Sequence, residues 1–252
     1  MSVKSLHVLY CGSLVVDKGT VQTYHVDVGK IVEMPIFAYL IRTEEGNILF
    51  DSGIDHDDLP FLSSIGKKIK AKEEDFLLTR LREAEVAPEE INFVLQSHLH
   101  WDHSGLLKCF PKARIIVQRE EYGYAINPPP FAETFYRCPY YNSPNLNWQI
   151  IDGDESVVPG ITTIFTPGHT PGHQSLIVNL PESGVIILAG DCAYISENIE
   201  REIIPGIFVN PVQALHSLKR LKSLAQITNG QIFFSHSHGQ LETIKGSPKL
   251  YK

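Results

Sequence analysis

The chain has no Cys-x-x-Cys pair; Cys11, Cys109, Cys138 and Cys192 stand far apart. That spacing suggests neither a thiolate metal site nor a disulfide framework, so free thiols in a reducing compartment are expected. No apolar run approaches the ~20 residues that span a bilayer. The first apolar run, Leu6 to Tyr10, is too short for the core of a secretory signal. A cytoplasmic location without a membrane partner is therefore expected. Basic residues are outnumbered, giving a net charge of -7, and they fall singly or in pairs. A broad electrostatic footprint for nucleic acid is thereby excluded. The densest basic run, Lys67-Lys68-Ile69-Lys70, reads as a solvated loop, with a phosphate or substrate contact as the alternative.

What is present is the composition of an ordinary folded protein. Hydrophobic residues make up 43% and charged residues 20%, which excludes a disordered chain. A length of 252 residues is enough for a large core, and a single domain over 1–252 is expected. Short β-branched runs read as strands: Ile36 to Ile41, Asn47 to Phe50, Asn92 to Gln96, Arg114 to Val117, Ile161 to Phe165, Leu176 to Val178, Val185 to Leu188 and Gln231 to Phe234. Two stretches read as helices: Glu73 to Ala84, with acids in its first turn, and Pro211 to Ala225, with Asn210 as N-cap and Pro211 at the first position. In the second, Val212, Leu215, Leu218, Leu221 and Ala225 share a face, which predicts a core-packing helix. The mixture is α/β. The segment 127–147, with Pro128-Pro129-Pro130 and several tyrosines, reads as an irregular insertion, either a binding loop near the site or a packed surface loop.

The densest chemistry lies directly after one predicted strand. In Ser97-His98-Leu99-His100-Trp101-Asp102-His103, four potential ligands occur in six positions. His98 and His100 alternate and can face one ion, while Asp102 and His103 can turn toward a second. Imidazole and carboxylate together suit zinc and equally iron, cobalt or manganese. Two ions need more ligands, and three further strand ends supply them: His169 in Thr166-Pro-Gly-His169, Asp191 in Gly190-Asp191 and His236 in Ser235-His236. Each alone could be a turn residue, a helix cap or a core histidine. Their coincidence with the His98–His103 segment points to a metal centre.

The set His98-Leu-His100-Trp-Asp102-His103, His169, Asp191 and His236 resembles the metallo-β-lactamase superfamily over nearly the whole chain. Closer phrases are similar to the quorum-quenching N-acyl homoserine lactonases: Gln96 to His103, Val117-Gln-Arg-Glu-Glu-Tyr122, Phe165 to Ser175 and Asp191-Cys-Ala-Tyr194. The resemblance implies a four-layer αββα sandwich with the site at one edge of the paired sheets. It implies one ion held by His98, His100 and His169, another by Asp102, His103 and His236, and Asp191 bridging both. Asp51, in Phe50-Asp-Ser-Gly53, matches a strand-end aspartate that supports the site. His173 is expected to hydrogen-bond beside the ligands, and His238 is expected to stand aside from them.

The reaction implied is hydrolytic opening of the lactone ring of an N-acyl homoserine lactone by water activated between the ions. Tyr194 is expected to bind the carbonyl oxygen as charge develops there, Asp102 to shuttle the proton, and Trp101 to form an apolar wall beside the substrate. A lactonase for another ring, such as a pyridoxolactone or γ-butyrolactone, a glyoxalase-II-like thioesterase, a β-lactamase, a phosphodiesterase or nuclease, and a non-enzymatic metal-binding scaffold could use the same core and stay open, although the Asp191-Cys-Ala-Tyr194 phrase favours lactones. A homodimer is suggested by the resemblance alone.

Overall fold

The computed structural model describes residues 3–243 and 249–252. Its larger sheet is built from β1 (Val3–Asp17), β2 (Ile31–Thr43), β3 (Asn47–Phe50), β4 (Ile69–Lys70), β5 (Ile91–Leu95), β6 (Arg114–Gln118) and β7 (Asn147–Ile151). The smaller sheet carries β8 (Glu155–Val158), β9 (Ile161–Phe165), β10 (Gln174–Leu180), β11 (Gly184–Leu188) and β12 (Gln231–Phe233), while β13 (Lys249–Tyr251) closes the far edge of the larger one. Strand order is β13-β1-β2-β3-β5-β6-β7, with β4 paired to β1, and β12-β11-β10-β9-β8.

Residue alternation explains the layering. Along β2, Phe37, Tyr39 and Ile41 point into the space between the sheets, where they meet Leu176, Val178, Ile186 and Leu188 of the smaller sheet. Ile36, Ala38 and Leu40 point the other way, onto Leu62, Leu77, Leu81 and Phe110. A period of two with both faces apolar marks a strand buried on both sides. On the outside of the smaller sheet, Ile187 and Ala189 pack against Leu218 and Leu221 of the long helix Pro211–Thr228. Helices therefore cover both outer faces of two stacked sheets, the αββα sandwich that was expected.

The eight expected strands are all present with small shifts of boundary. The long helix begins as predicted, Asn210 accepting from the backbone N–H groups of Val212 and Gln213. Of the expected face, Leu218 and Leu221 are buried and Leu215 and Ala225 pack partly buried against the same cluster. Ala214 and Ser217 are buried as well, while Val212, in the first turn, is 61% exposed. The Glu73 to Ala84 stretch divides into a turn of 3-10 helix, Glu73–Asp75, and a helix, Leu77–Glu83. The 127–147 segment holds one helical turn, Cys138–Tyr141, and runs directly into β7. The four thiols are unpaired, and among the described residues no helix is long and apolar enough to cross a membrane.

This topology delivers five chain segments to one edge. β3 and β5 run parallel, β11 and β12 run parallel, and β9 shares the direction of β11 because each is antiparallel to β10. Asp51, His98, His169, Asp191 and His236 all follow the C-terminal ends of these strands. The turn before His169 also needs a glycine. Gly168 has φ +136°, and a Cβ there would lie 2.1 Å from the backbone nitrogen of Ala214. Its carbonyl accepts from Val209 and Asn210, fixing the turn to the start of the long helix. Gly168→Ala is accordingly expected to lower the stability of the metal-free protein by at least about 2 kcal/mol. Gly123→Ala, at an exposed helical position with open space around it, is expected to raise stability by roughly 0.5–1 kcal/mol. Denaturant unfolding of the two variants checks this, and equal effects would contradict the assigned packing.

Candidate metal centre

The histidines converge with their lone pairs facing one another. His169 Nε2 lies 3.2 Å from His98 Nε2 and 3.1 Å from His100 Nδ1. Three groups have ligand atoms close enough to hold an ion: His98, His100 and His169; Asp102, His103 and His236; and His98, His103 and Asp191. All of these residues are buried.

Asp191 stands between the first two groups. Its Oδ2 is 3.3 Å from His169 Nε2 and 3.8 Å from His98 Nε2, while its Oδ1 is 3.3 Å from His103 Nε2 and 3.1 Å from His236 Nε2. One carboxylate oxygen faces each histidine group. Among the described residues none makes a well-formed hydrogen bond to His103 Nε2, His236 Nε2 or Asp191 Oδ1, all buried, although buried polar atoms are ordinarily satisfied. Burial and the neighbouring imidazoles hold His98 and His100 well below the usual histidine range. Burial disfavours the charged form of His103 too, but the carboxylates of Asp191, Asp102 and Asp51 outweigh it and raise its pKa well above the usual range. Convergent imidazole nitrogens around a carboxylate suit divalent cations.

The outer ring nitrogens are held in turn. His98 Nδ1 donates to Ser97 Oγ at 2.9 Å, whose hydroxyl donates to Asp51 Oδ2 at 2.8 Å; the same oxygen accepts from His103 Nδ1 at 2.8 Å. His169 Nδ1 donates to the Ile207 carbonyl at 2.8 Å and His236 Nδ1 to that of Pro35 at 2.7 Å. These contacts assign the proton to Nδ1 and free Nε2 for a metal. Asp51 adopts φ +62°, a left-handed conformation uncommon for residues other than glycine. That bend turns its carboxylate onto both Ser97 and His103.

His173 is fully buried beside the cluster, and burial lowers its pKa to about 3. Its Nε2 accepts from the Asp191 backbone N–H at 2.8 Å, while its Nδ1 lies 3.1 Å from the Thr166 carbonyl. The neutral ring thus ties the Asp191 turn to the turn that carries His169. His238 is exposed, at the start of the helix His238–Thr243, apart from the three groups. Tyr194 is buried with its ring 4.7 Å from that of His236 and 6.0 Å from that of His169. Burial, with Asp191 and Asp102 nearby, pushes its hydroxyl well above the usual range, so it keeps a proton to donate.

A cavity of about 230 Å³ opens onto the cluster. Its lining includes Trp101, Asp102, Asp191 and Tyr194 together with the apolar Leu14, Val16, Val21 and Met34. Phe135 and Lys67 also line it. The Phe135 ring, from the 127–147 segment, lies 5.1 Å from that of His100 and tilted 31° to it, so that segment reaches the site. Lys67 is half-buried, not a fully solvated loop residue; its ammonium lies 4.9 Å from the Phe135 ring centre and 5.8 Å from that of Trp101. The sequence reading also passed over Gln174, which bonds the carbonyls of Gln96 and Ser97 through its side chain and backbone, both at 2.8 Å. Glu121 was missed as well: it is buried under the ligand loops and accepts from Leu99 N and Thr170 Oγ1. It lies within the Val117–Tyr122 phrase, the one signal that could have marked it.

Residues 31–236 match the metallo-beta-lactamase superfamily. The chain is 36% identical over 259 residues to an N-acyl homoserine lactonase of Bacillus cereus, with 99% of each chain covered. It is 32% identical to the N-acyl homoserine lactonase AttM of Azorhizobium caulinodans, covering 88% of this chain and 89% of that one. Among solved structures, an N-acyl homoserine lactone hydrolase with N-hexanoyl-L-homoserine bound at its catalytic metal centre superposes with a TM-score of 0.89 at 34% identity, covering 100% of both chains. A mutant of the Bacillus thuringiensis enzyme AiiA with N-decanoyl-L-homoserine at its active site superposes with a TM-score of 0.88 at 35% identity over 100% of both. Matching at this identity over whole chains, together with the buried His and Asp groups, establishes that the chain belongs to the N-acyl homoserine lactonase family of the metallo-β-lactamase superfamily.

Proposed function

We propose that this protein hydrolyses the lactone ring of N-acyl homoserine lactones with two divalent ions, zinc first among them, held by His98, His100 and His169 on one side and Asp102, His103 and His236 on the other. The observation that carries the reading is Asp191, whose two carboxylate oxygens face the two groups separately. The orphaned nitrogens of His103 and His236 support it. Such ions supply Lewis acidity toward a carbonyl and a water acidic enough to be a nucleophile near neutral pH.

The chain's own groups do the rest. The Tyr194 hydroxyl, kept protonated, donates to the carbonyl oxygen as negative charge builds there, which favours the transition state over the planar ester. Asp102 lines the cavity and serves as proton carrier, receiving the proton of the attacking water and returning it to the ring oxygen that leaves. Trp101 and Phe135 hold the lactone ring, and the apolar Leu14, Val16, Val21 and Met34 receive the acyl chain. Asp51 and His173 keep the ligands oriented. The unpaired cysteines support action in a reducing cytoplasm by a single-domain protein, with a homodimer as the assembly the family resemblance suggests.

Tyr194→Phe is expected to lower kcat on the order of 10²-fold, the scale for loss of one oxyanion donor, with bound metal unchanged by elemental analysis. An unaltered rate would remove Tyr194 from the chemistry. The substrate assignment is tested with metal-loaded protein against short- and long-chain N-acyl homoserine lactones, a pyridoxolactone, a γ-butyrolactone, nitrocefin and a thioester. Hydrolysis should be fastest for the acyl homoserine lactones, be abolished by chelation and return with added zinc. Faster turnover of another class would reassign the substrate, and no turnover of any would leave a binding protein.

A further inference from the structure

Glu121 is fully buried in the first turn of the helix Arg119–Ile126. Among the described residues no basic side chain bonds to it; its partners are four hydrogen-bond donors. Oε1 accepts from the Leu99 backbone N–H at 2.9 Å and from the Tyr136 hydroxyl at 3.1 Å. Oε2 accepts from the Thr170 hydroxyl and from the Gly172 backbone N–H, the latter at 3.3 Å. Leu99 stands between His98 and His100. Thr170 follows His169. Tyr136 forms an isolated β-bridge with His100, and the two rings lie 4.8 Å apart. The 169–172 turn also sits directly on the helix start, because a Cβ at Gly172 would come within 2.1 Å of the Glu121 backbone nitrogen.

A buried carboxylate without a cation is costly unless its oxygens are fully hydrogen-bonded. Here four donors meet it from three separate segments. A carboxylate accepts at both oxygens, whereas an amide of the same shape would turn an NH2 group toward two of the donors. Those segments carry His98, His100 and His169, the three histidines of one metal group. The other group is braced differently, by Asp51 behind His103 and the Pro35 carbonyl behind His236.

We propose that Glu121 is the positioning residue of the His98–His100–His169 group: its carboxylate fixes the separation of the two ligand loops, and so sets the affinity of that one metal position without touching the ion. The proposal rests on the two-ion reading above, and its test separates the two. Metal-free protein is titrated with zinc, and with cobalt against a chromophoric chelator, with His169→Ala used to identify the binding event of this group. Wild-type protein should bind two ions. Glu121→Gln should weaken the event lost in His169→Ala by 10- to 100-fold, the usual effect of removing an outer partner of a metal site, and change the other by less than about threefold. Thr170→Val, which deletes one donor and leaves the carboxylate, should weaken the same event by a smaller factor; it serves alone should the glutamine variant not fold. A purely structural role would lower the melting temperature of the metal-free protein and leave the ratio of the two affinities unchanged, and that result overturns the proposal. One ion in wild-type protein would instead defeat the two-ion reading.

Discussion

A single buried carboxylate organises the site. Asp191 is 3% exposed, with imidazole nitrogens at each of its oxygens. Uncompensated polar atoms in such a place are expensive, and convergent buried ligand atoms this close make sense as the walls of a cation site. The surrounding fold can be read as what is needed to hold that arrangement rigidly. Strands from both sheets end at the same edge, so His98, Asp191 and His236 each sit three residues, and His169 four, beyond a segment locked in a ladder. Short tethers on a packed scaffold give the placement that metal chemistry demands.

Rigidity at the edge comes from an outer layer of hydrogen bonds. Asp51 serves Ser97 and His103 at once, backbone carbonyls hold His169 and His236, and His173 links the Asp191 turn to the Thr166 carbonyl. The left-handed backbone at Asp51 is a local strain of the kind that surroundings must over-determine. Glu121 extends this layer to the ligand loops from the helical side of the larger sheet. With the outer nitrogens of His98, His103, His169 and His236 engaged, their inner nitrogens have one direction left.

Much of this was written locally in the sequence. The His98–His103 spacing, and single His or Asp residues immediately after apolar runs, needed no long-range information, and the strands buried on both faces were evident as β-branched runs. What escaped depended on tertiary contact. β1 spans fifteen residues, yet only Leu6 to Tyr10 stands out, because the ladder to β2 shifts register between Tyr10 and Ser13 and the apolar pattern breaks there. The long helix was expected to bury Val212, but which residues face the sheet depends on where the helix docks. Lys67 read as a surface charge because nothing in its neighbours announces that Trp101 and Phe135 lie beneath it. Glu121 looked like an ordinary acid of a helix's first turn; only folding brings four donors to it.

The central claim is that Asp191 bridges two ions. X-ray absorption on the zinc-loaded protein measures this most directly, alongside metal content per chain. The account predicts two ions per chain and a metal–metal scattering path at about 3.5–4 Å, the usual separation of a shared-ligand pair. One ion per chain, or two with no such path, would contradict it.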